Sequence, residues 1–289
     1  MKSLTIISIF LCSIVGFAME FSISPKGEPF LRIVEDGDYA RLELASKTYS
    51  NPAQGLTVTL LAAIHFAQDQ FYERQMEIAR QSSCTLYEGK GLDKIGIEWN
   101  CQPLPAKVNR SHHFSIIAKS YNLSLQLEKI DHSYVNFVHA DFSFQEECPK
   151  LEERLRDFAE FIEHYNNKYD EQGKKSELND GYEYYINIQI NNQKQIPLKS
   201  LIESLEKQTN NIETLLKEQG EDFYSREFMQ RNNIVLDKFA QQAAMATPEN
   251  PKHIIIFYGA GHMPYFEAEL RQKYNLRFQS EEWISSCNF

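Results

Sequence analysis

The sequence predicts an α/β (α+β) protein, a central mixed sheet flanked by helices with a helical insertion or cap in the middle of the chain. Two short apolar runs, 56–64 and 254–258, are rich in β-branched and aromatic residues and read as fully buried strands. A third run, 84–87, follows the first after one helix length, so residues 56–88 make a β–α–β unit with a parallel crossover. From about 150 to 250 the pattern turns helical, and the run at Ile254 must then return to the first sheet. Residues 19–289 are therefore read as one domain carrying its insertion at about 150–250.

Each element has its own signal. From Glu20 to Ser50 the chain reads as strand and turn, with 39–44 alternating as a strand. Asn51-Pro52-Ala53-Gln54-Gly55 is turn chemistry before the strand that ends at His65. Residues 69–81 form a helix with Asp69 as cap or first-turn acid, and the strand ending at Glu88 follows. A loop over 89–110, a helix over 111–121 and strands over 123–127 and 134–139 come next.

In the middle, Leu151, Leu155, Phe158, Ile162 and Tyr165 are spaced four, three, four and three, an amphipathic helix. Residues 166–180 read as a polar loop, and 184–190 alternate as a strand. Pro197 opens a helix through Leu198, Leu201, Ile202 and Leu205. Another helix covers about 223–245 and stops at Thr247-Pro248-Glu249-Asn250-Pro251. Met263-Pro264 begins a helix after His262, and a last strand is expected near 276–278.

Composition limits the function classes. A net charge of −10 and the lack of a basic patch argue against nucleic acid or an anionic membrane surface as partner. Lys2, the apolar stretch 4–15 and the small residues Gly16 and Ala18 outline a secretory signal peptide over 1–18. No later segment is apolar and long enough to span a bilayer, so a secreted or periplasmic protein is expected. Cys84, Cys101, Cys148 and Cys287 then remain, and four cysteines permit three pairings. Asn109-Arg110-Ser111 and Asn122-Leu123-Ser124 are sequons that carry meaning only in a eukaryotic secretory pathway.

The chemistry concentrates at strand ends. His65, Glu88 and His262 each follow a buried run, and open α/β sheets place ligands at the rim where strands end. Two imidazoles and a carboxylate suit a divalent metal or an acid–base pair. Gly259 and Gly261 permit close backbone approach and positive φ beside His262.

Gly259-Ala260-Gly261-His262, followed by Met263-Pro264, resembles the C-terminal GxxH motif of the TraB/PrgY/GumN family, which includes the Tiki membrane proteases. Ala62-Ala63-Ile64-His65, Phe71-Tyr72 and Leu86-Tyr87-Glu88-Gly89 resemble its first half, with Ala62 in place of the first glycine. Leu125-Gln126, Val138-His139-Ala140-Asp141 and Arg231-Asn232 are similar in the same order, so the resemblance spans about 40–285 with 150–220 unmatched.

The resemblance implies a metal-dependent hydrolase, in the first place a peptidase, using Mn or Co, with Zn as a further option. His65, Glu88, Asp141 and His262 are the implied metal set; Glu88 could instead be the general base, with the histidines and Asp141 holding the ion. Arg231 is implied as a catalytic residue stabilising an oxyanion, or as a grip for a substrate carboxylate, and Tyr72 as a substrate-binding residue. His139 is a partner behind the ligands or core. The partner is a peptide or small molecule. Two alternatives stand beside this reading: a metal-free esterase of the erythromycin-esterase type, and a non-catalytic peptide-binding or sequestering protein.

Overall fold

A computed structural model of the chain describes residues 29–37, 39–89, 118, 121–143, 198–210 and 220–289. The expected signal peptide, Cys101 and Cys148, and the expected loop 166–180 lie outside these residues, as do the helix 151–165 and the strand 184–190. Of the loop 89–110 only Gly89, and of the helix 111–121 only Ala118 and Tyr121, are described. Among the described residues no helix is long and apolar enough to cross a membrane.

The fold is the mixed α/β arrangement the sequence predicts. Nine strands occur among the described residues: β1 (Leu31–Asp36), β2 (Tyr39–Asn51), β3 (Leu56–Ala63), β4 (Phe66–Ala67), β5 (Cys84–Tyr87), β6 (Ser124–Leu125), β7 (Phe137–His139), β8 (Lys252–Gly259) and β9 (Arg277–Asn288). The helices are α1 (Asp69–Arg80), α2 (Gln126–Lys129), α3 (Leu198–Asn210), α4 (Glu221–Tyr224), α5 (Arg231–Ala243) and α6 (Met263–Tyr274). The main sheet runs β1-β2-β3-β8-β5-β7, with β9 also on β2; β4 and β6 form a small separate pair.

The centre of the sheet, β3-β8-β5-β7, is parallel throughout, and β1, β2 and β9 add an antiparallel flank. The β–α–β unit over 56–88 is present, but β8 lies between its two strands. Every residue of the run Ile254–Tyr258 is at most 1% exposed, as a strand with parallel neighbours on both sides should be. Its carboxyl end, and those of β3, β5 and β7, come to one rim, which brings residues 64–65, 88–89, 140–141 and 260–262 together.

Register explains why the chain turns at His65. Residues 41–50 of β2 pair with β9 on one edge. On the opposite edge, 39–44 pair with β1 and 46–51 with β3. β1 therefore occupies the place into which β3 would extend, and after Ala63 the chain must leave the sheet. Its backbone carbonyls are satisfied from α1: Gln75 Nε2 donates to Ala62 O at 2.6 Å, and Tyr72 Oη donates to Ile64 O at 3.1 Å.

Several boundaries differ from expectation. β9 spans twelve residues where three were expected, because it pairs along β2 while 277–282 face solvent, which leaves no apolar alternation to read. The run 123–127 divides into β6 and α2, and the strand expected over 134–139 is confined to 137–139. The helix expected at 223–245 is α4 and α5 joined by a π-helical segment, Ser225–Gln230. Asp69 lies in the first turn of α1 without capping it; its carboxylate instead binds Ser124 and Lys129.

Gly55 and Gly37 both hold positive φ, +63° and +62°. A Cβ on Gly55 would lie 2.0 Å from Thr247 O, whereas one on Gly37 meets nothing within 4 Å. Gly37→Ala is therefore expected to lower stability by about 1 kcal/mol through backbone strain alone. Gly55→Ala is expected to lose roughly 1–3 kcal/mol more by collision with the 247–248 backbone. Urea denaturation of the two variants measures the difference, and equal losses would refute this packing.

Candidate functional site

The site is assembled from strand ends and two consecutive helical residues. Arg231, the first residue of α5, lies between two carboxylates. Its Nε donates to Asp141 Oδ1 at 2.9 Å, and Nη2 donates to Asp141 Oδ2 at 2.7 Å and Glu88 Oε1 at 2.5 Å. The Arg231 and Asp141 side chains are 6% and 0% exposed and that of Glu88 14%, so the cluster is nearly dry. Burial opposes the charge of Arg231, but Asp141, the Tyr258 hydroxyl and Glu88 outweigh it and hold its pKa well above the ordinary arginine value.

Asp141 is fully occupied. Beyond Arg231, Oδ1 accepts from Phe142 N at 2.8 Å and Oδ2 from Gly89 N at 3.1 Å. These four donors use the lone-pair positions of a carboxylate, so Asp141 holds Arg231 and the backbone after β5 and does not fit the metal-ligand role implied for it. Nε and Nη2 of Arg231 are taken by Asp141 and Glu88, and Arg231 is not among the residues that line the cleft described below. Tyr72 is corrected too: it is 1% exposed and its hydroxyl is bound to Ile64 O. It fixes the backbone ahead of His65 from within the core instead of facing a substrate.

Glu88 reaches the end of β8. Its Oε2 accepts from Gly259 N at 2.6 Å, and a Cβ on residue 259 would lie 3.1 Å from that oxygen. A side chain there would crowd that oxygen, so Gly259 serves close approach and not the expected positive φ, its φ being −52°. Ala62 sits inside β3 opposite Tyr258, where an extended backbone places no demand for glycine.

His262 is 2% exposed, and its Nδ1 lies 2.7 Å from Asn232 Oδ1. An amide oxygen only accepts, so Nδ1 carries the ring proton and the lone pair of the neutral ring falls on Nε2. The ring stacks on Phe228 from the π-helical segment, 4.4 Å between centroids and 16° apart, with the edge of Tyr258 5.0 Å away. His65 Nδ1 lies 3.3 Å from Gln126 Oε1, while Gln126 N donates to His65 O at 2.9 Å. One glutamine thus holds both the ring and the backbone of His65.

A cleft of about 570 Å³, including its open mouth, lies at this rim. Its walls bring His65, Glu88 and His262 together with Gln126 and the 259–262 turn. Asp141, Arg231 and Tyr72 are not among its lining residues. Among the described residues, no three His, Cys, Asp or Glu side chains form a ready cation cage as they stand. His65, Glu88 and His262 are the lining side chains of metal-ligand type.

Sequence reasoning named Gln126 and Asn232 within matched pairs but gave neither a role, and it passed over Phe228. Adjacency on a helix held the clue, since neighbours diverge by about 100°: Arg231 serves the carboxylates and Asn232 serves His262. Cys84 and Cys287 are buried free thiols whose pKa values burial pushes up to about 11. No family model, curated protein or solved structure matches the chain.

Removing the central cation should be costly. Arg231→Met is expected to lose about 3–5 kcal/mol by leaving the carboxylates uncompensated, and adding Asp141→Asn should recover part of it. Chemical denaturation checks this, and a loss under about 1 kcal/mol for Arg231→Met would contradict a dry cluster.

Behind the site, His132 packs on Tyr87 at 4.6 Å. Burial lowers its pKa to about 4, the charge of His139 acting in the same direction and Asp131 against it. A depressed histidine leaves the unfolded chain binding the proton first, so this stability is complete above about pH 6.5 and is lost as pH falls toward 4. His132→Phe should remove that component, on the order of 3 kcal/mol at most, from the difference between the two pH–stability curves.

Proposed function

We propose that this chain is a hydrolase acting at the carboxyl rim of its parallel strands, and, from its resemblance to the TraB/PrgY/GumN proteins, a peptidase. One observation carries the reading: His65, Glu88 and His262, from three distant segments, line a single cleft. A rim of parallel strand ends is where α/β sheets hold their ligands, and a general base must face the space the substrate enters.

In this reading His262 is the base. Asn232 fixes its tautomer and Phe228 its plane, so the Nε2 lone pair is held ready to take a proton from the attacking water. Arg231 works through Glu88. By holding Oε1 it sets the carboxylate against the Gly259 amide. His65, steadied by Gln126, stands across the cleft to orient the scissile group or protonate the leaving atom. A divalent ion would be held by His65, Glu88 and His262, and it supplies carbonyl polarisation and a more acidic water. The tautomer of His262 serves equally as base or ligand, so the chain's own residues have the same placements in the metal-free reaction. In the same reading the protein is exported through the signal-like residues 1–18 to the periplasm or beyond, and its substrate is a peptide or small molecule.

Purified protein offered peptide mixtures with Mn²⁺, Co²⁺ or Zn²⁺ is expected to release products seen by mass spectrometry. His262→Ala should cut the rate by about 10²–10⁴-fold. Loss on chelation and recovery on adding metal assigns the ion, whereas His-dependent activity that survives chelation assigns metal-free hydrolysis. Turnover indifferent to both His65→Ala and His262→Ala, or stoichiometric binding with no product, overturns the proposal.

A further inference from the structure

The walls of the cleft differ in chemistry. Leu31, Ile64, Phe66 and Leu205 form apolar lining, while Glu88 and His262 stand at the strand ends. Leu205 belongs to α3, which packs on β1 and on the 260–262 turn and is tied to β1 by an ion pair between Lys199 and Glu35, 3.2 Å. Leu198, Ile202, Leu205 and Thr209 recur at helical spacing on one face; Ile202 and Leu205 are 1% and 4% exposed. Leu205 and Thr209 therefore present successive turns of one helix to the cleft.

The electrostatics are one-sided. Two carboxylates, the half-buried Glu88 and the buried Asp141, share one guanidinium, Arg231. The only cationic arginine in the cluster is already bound, and among the described residues lining the cleft there is no Lys or Arg. The amino end of α6, which favours an anion, stands just beyond Gly259, whose N–H Glu88 already holds.

We propose that the cleft is built for a ligand with a branched aliphatic side chain beside an uncharged carbonyl group. It accepts a blocked or internal amide and rejects a free carboxylate at that position, with Leu205 of α3 setting the side-chain preference. This rests on the reading of the cleft as a substrate site and names the substrate class: the interior of a peptide, at an aliphatic residue, in place of its carboxyl terminus. The side chain fills the gap between Leu31, Phe66 and Leu205, and the carbonyl points to His262. A ligand carboxylate there would stand beside Glu88, and no Lys or Arg among the described lining residues answers it.

Equilibrium binding tests this apart from turnover, using N-acetyl-leucine amide, N-acetyl-glycine amide and N-acetyl-leucine followed by ligand-observed NMR on the purified protein. The leucine amide is expected to bind about tenfold more tightly than the glycine amide, since the isobutyl group is taken out of water. It should also bind several-fold more tightly than the free acid. Leu205→Ala should erase the first difference and leave the glycine amide unchanged. Because Leu205 is buried and its loss can unfold α3, Thr209→Arg at the rim supplies a second variant, expected to shrink the penalty on the free acid. Equal binding of leucine and glycine amides, or of amide and acid, overturns the proposal. This binding pattern in a protein without turnover would sink only the hydrolase reading; turnover without this pattern would sink only the substrate class.

Discussion

The buried contact of Arg231 with Asp141 and Glu88 is the constraint on which the rim depends. A guanidinium in a nearly dry site is tolerable only with carboxylates in hydrogen-bonded contact, and each carboxylate in turn needs donors for its remaining lone pairs. Those donors are backbone amides: Gly89 and Phe142 for Asp141, Gly259 for Glu88. Satisfying one side chain therefore fixes the segments after β5, β7 and β8 relative to one another. The ion network draws three strand ends to a common point, and the neighbouring residue, Asn232, extends the same order to His262.

The support of the two histidines is divided between different sources. His262 is held by side chains from a continuous helical stretch, with Phe228 from the π-helical turn and Asn232 from the first turn of α5. A π segment inserts an extra residue into the helical repeat, and here it sets a stacking ring and a hydrogen-bonding amide against the same imidazole. His65 lies on a chain that has just left the sheet, and it is held by Gln126, with Tyr72 and Gln75 fixing the carbonyls before it. The two supports meet only across the cleft.

Much of this was legible from the sequence because buried strands declare themselves by composition. The runs ending at His65, Glu88 and His262 are mostly apolar and rich in β-branched and aromatic residues, and a polar residue after such a run must emerge at a rim. The convergence of His65, Glu88 and His262 at one rim was thus readable, whereas their partners were not. Asp141 and Arg231 were named as ligand and substrate grip, and the structure brings them together as each other's counter-ions, a pairing across 90 residues that no local pattern encodes. Tyr72 failed as a binding residue for a similar reason, since an aromatic on the inner face of a helix is silent about where its hydroxyl points. β9 escaped because an edge strand with solvent-facing Glu281 and Glu282 has no hydrophobic alternation. It is recognised only by the strand it pairs with.

The position of β8 has a consequence for how the molecule comes into being. It fills the slot between β3 and β5, yet well over half of the chain separates it from β3. On the ribosome, the first strands emerge with their inner edges facing a gap that stays open until almost the entire polypeptide has been made. Contacts of such long sequence separation form slowly and leave sticky surface uncovered in the meantime. A protein with this strand order can close its sheet only after its C-terminal portion arrives, so a shielding chaperone has its greatest effect during that interval.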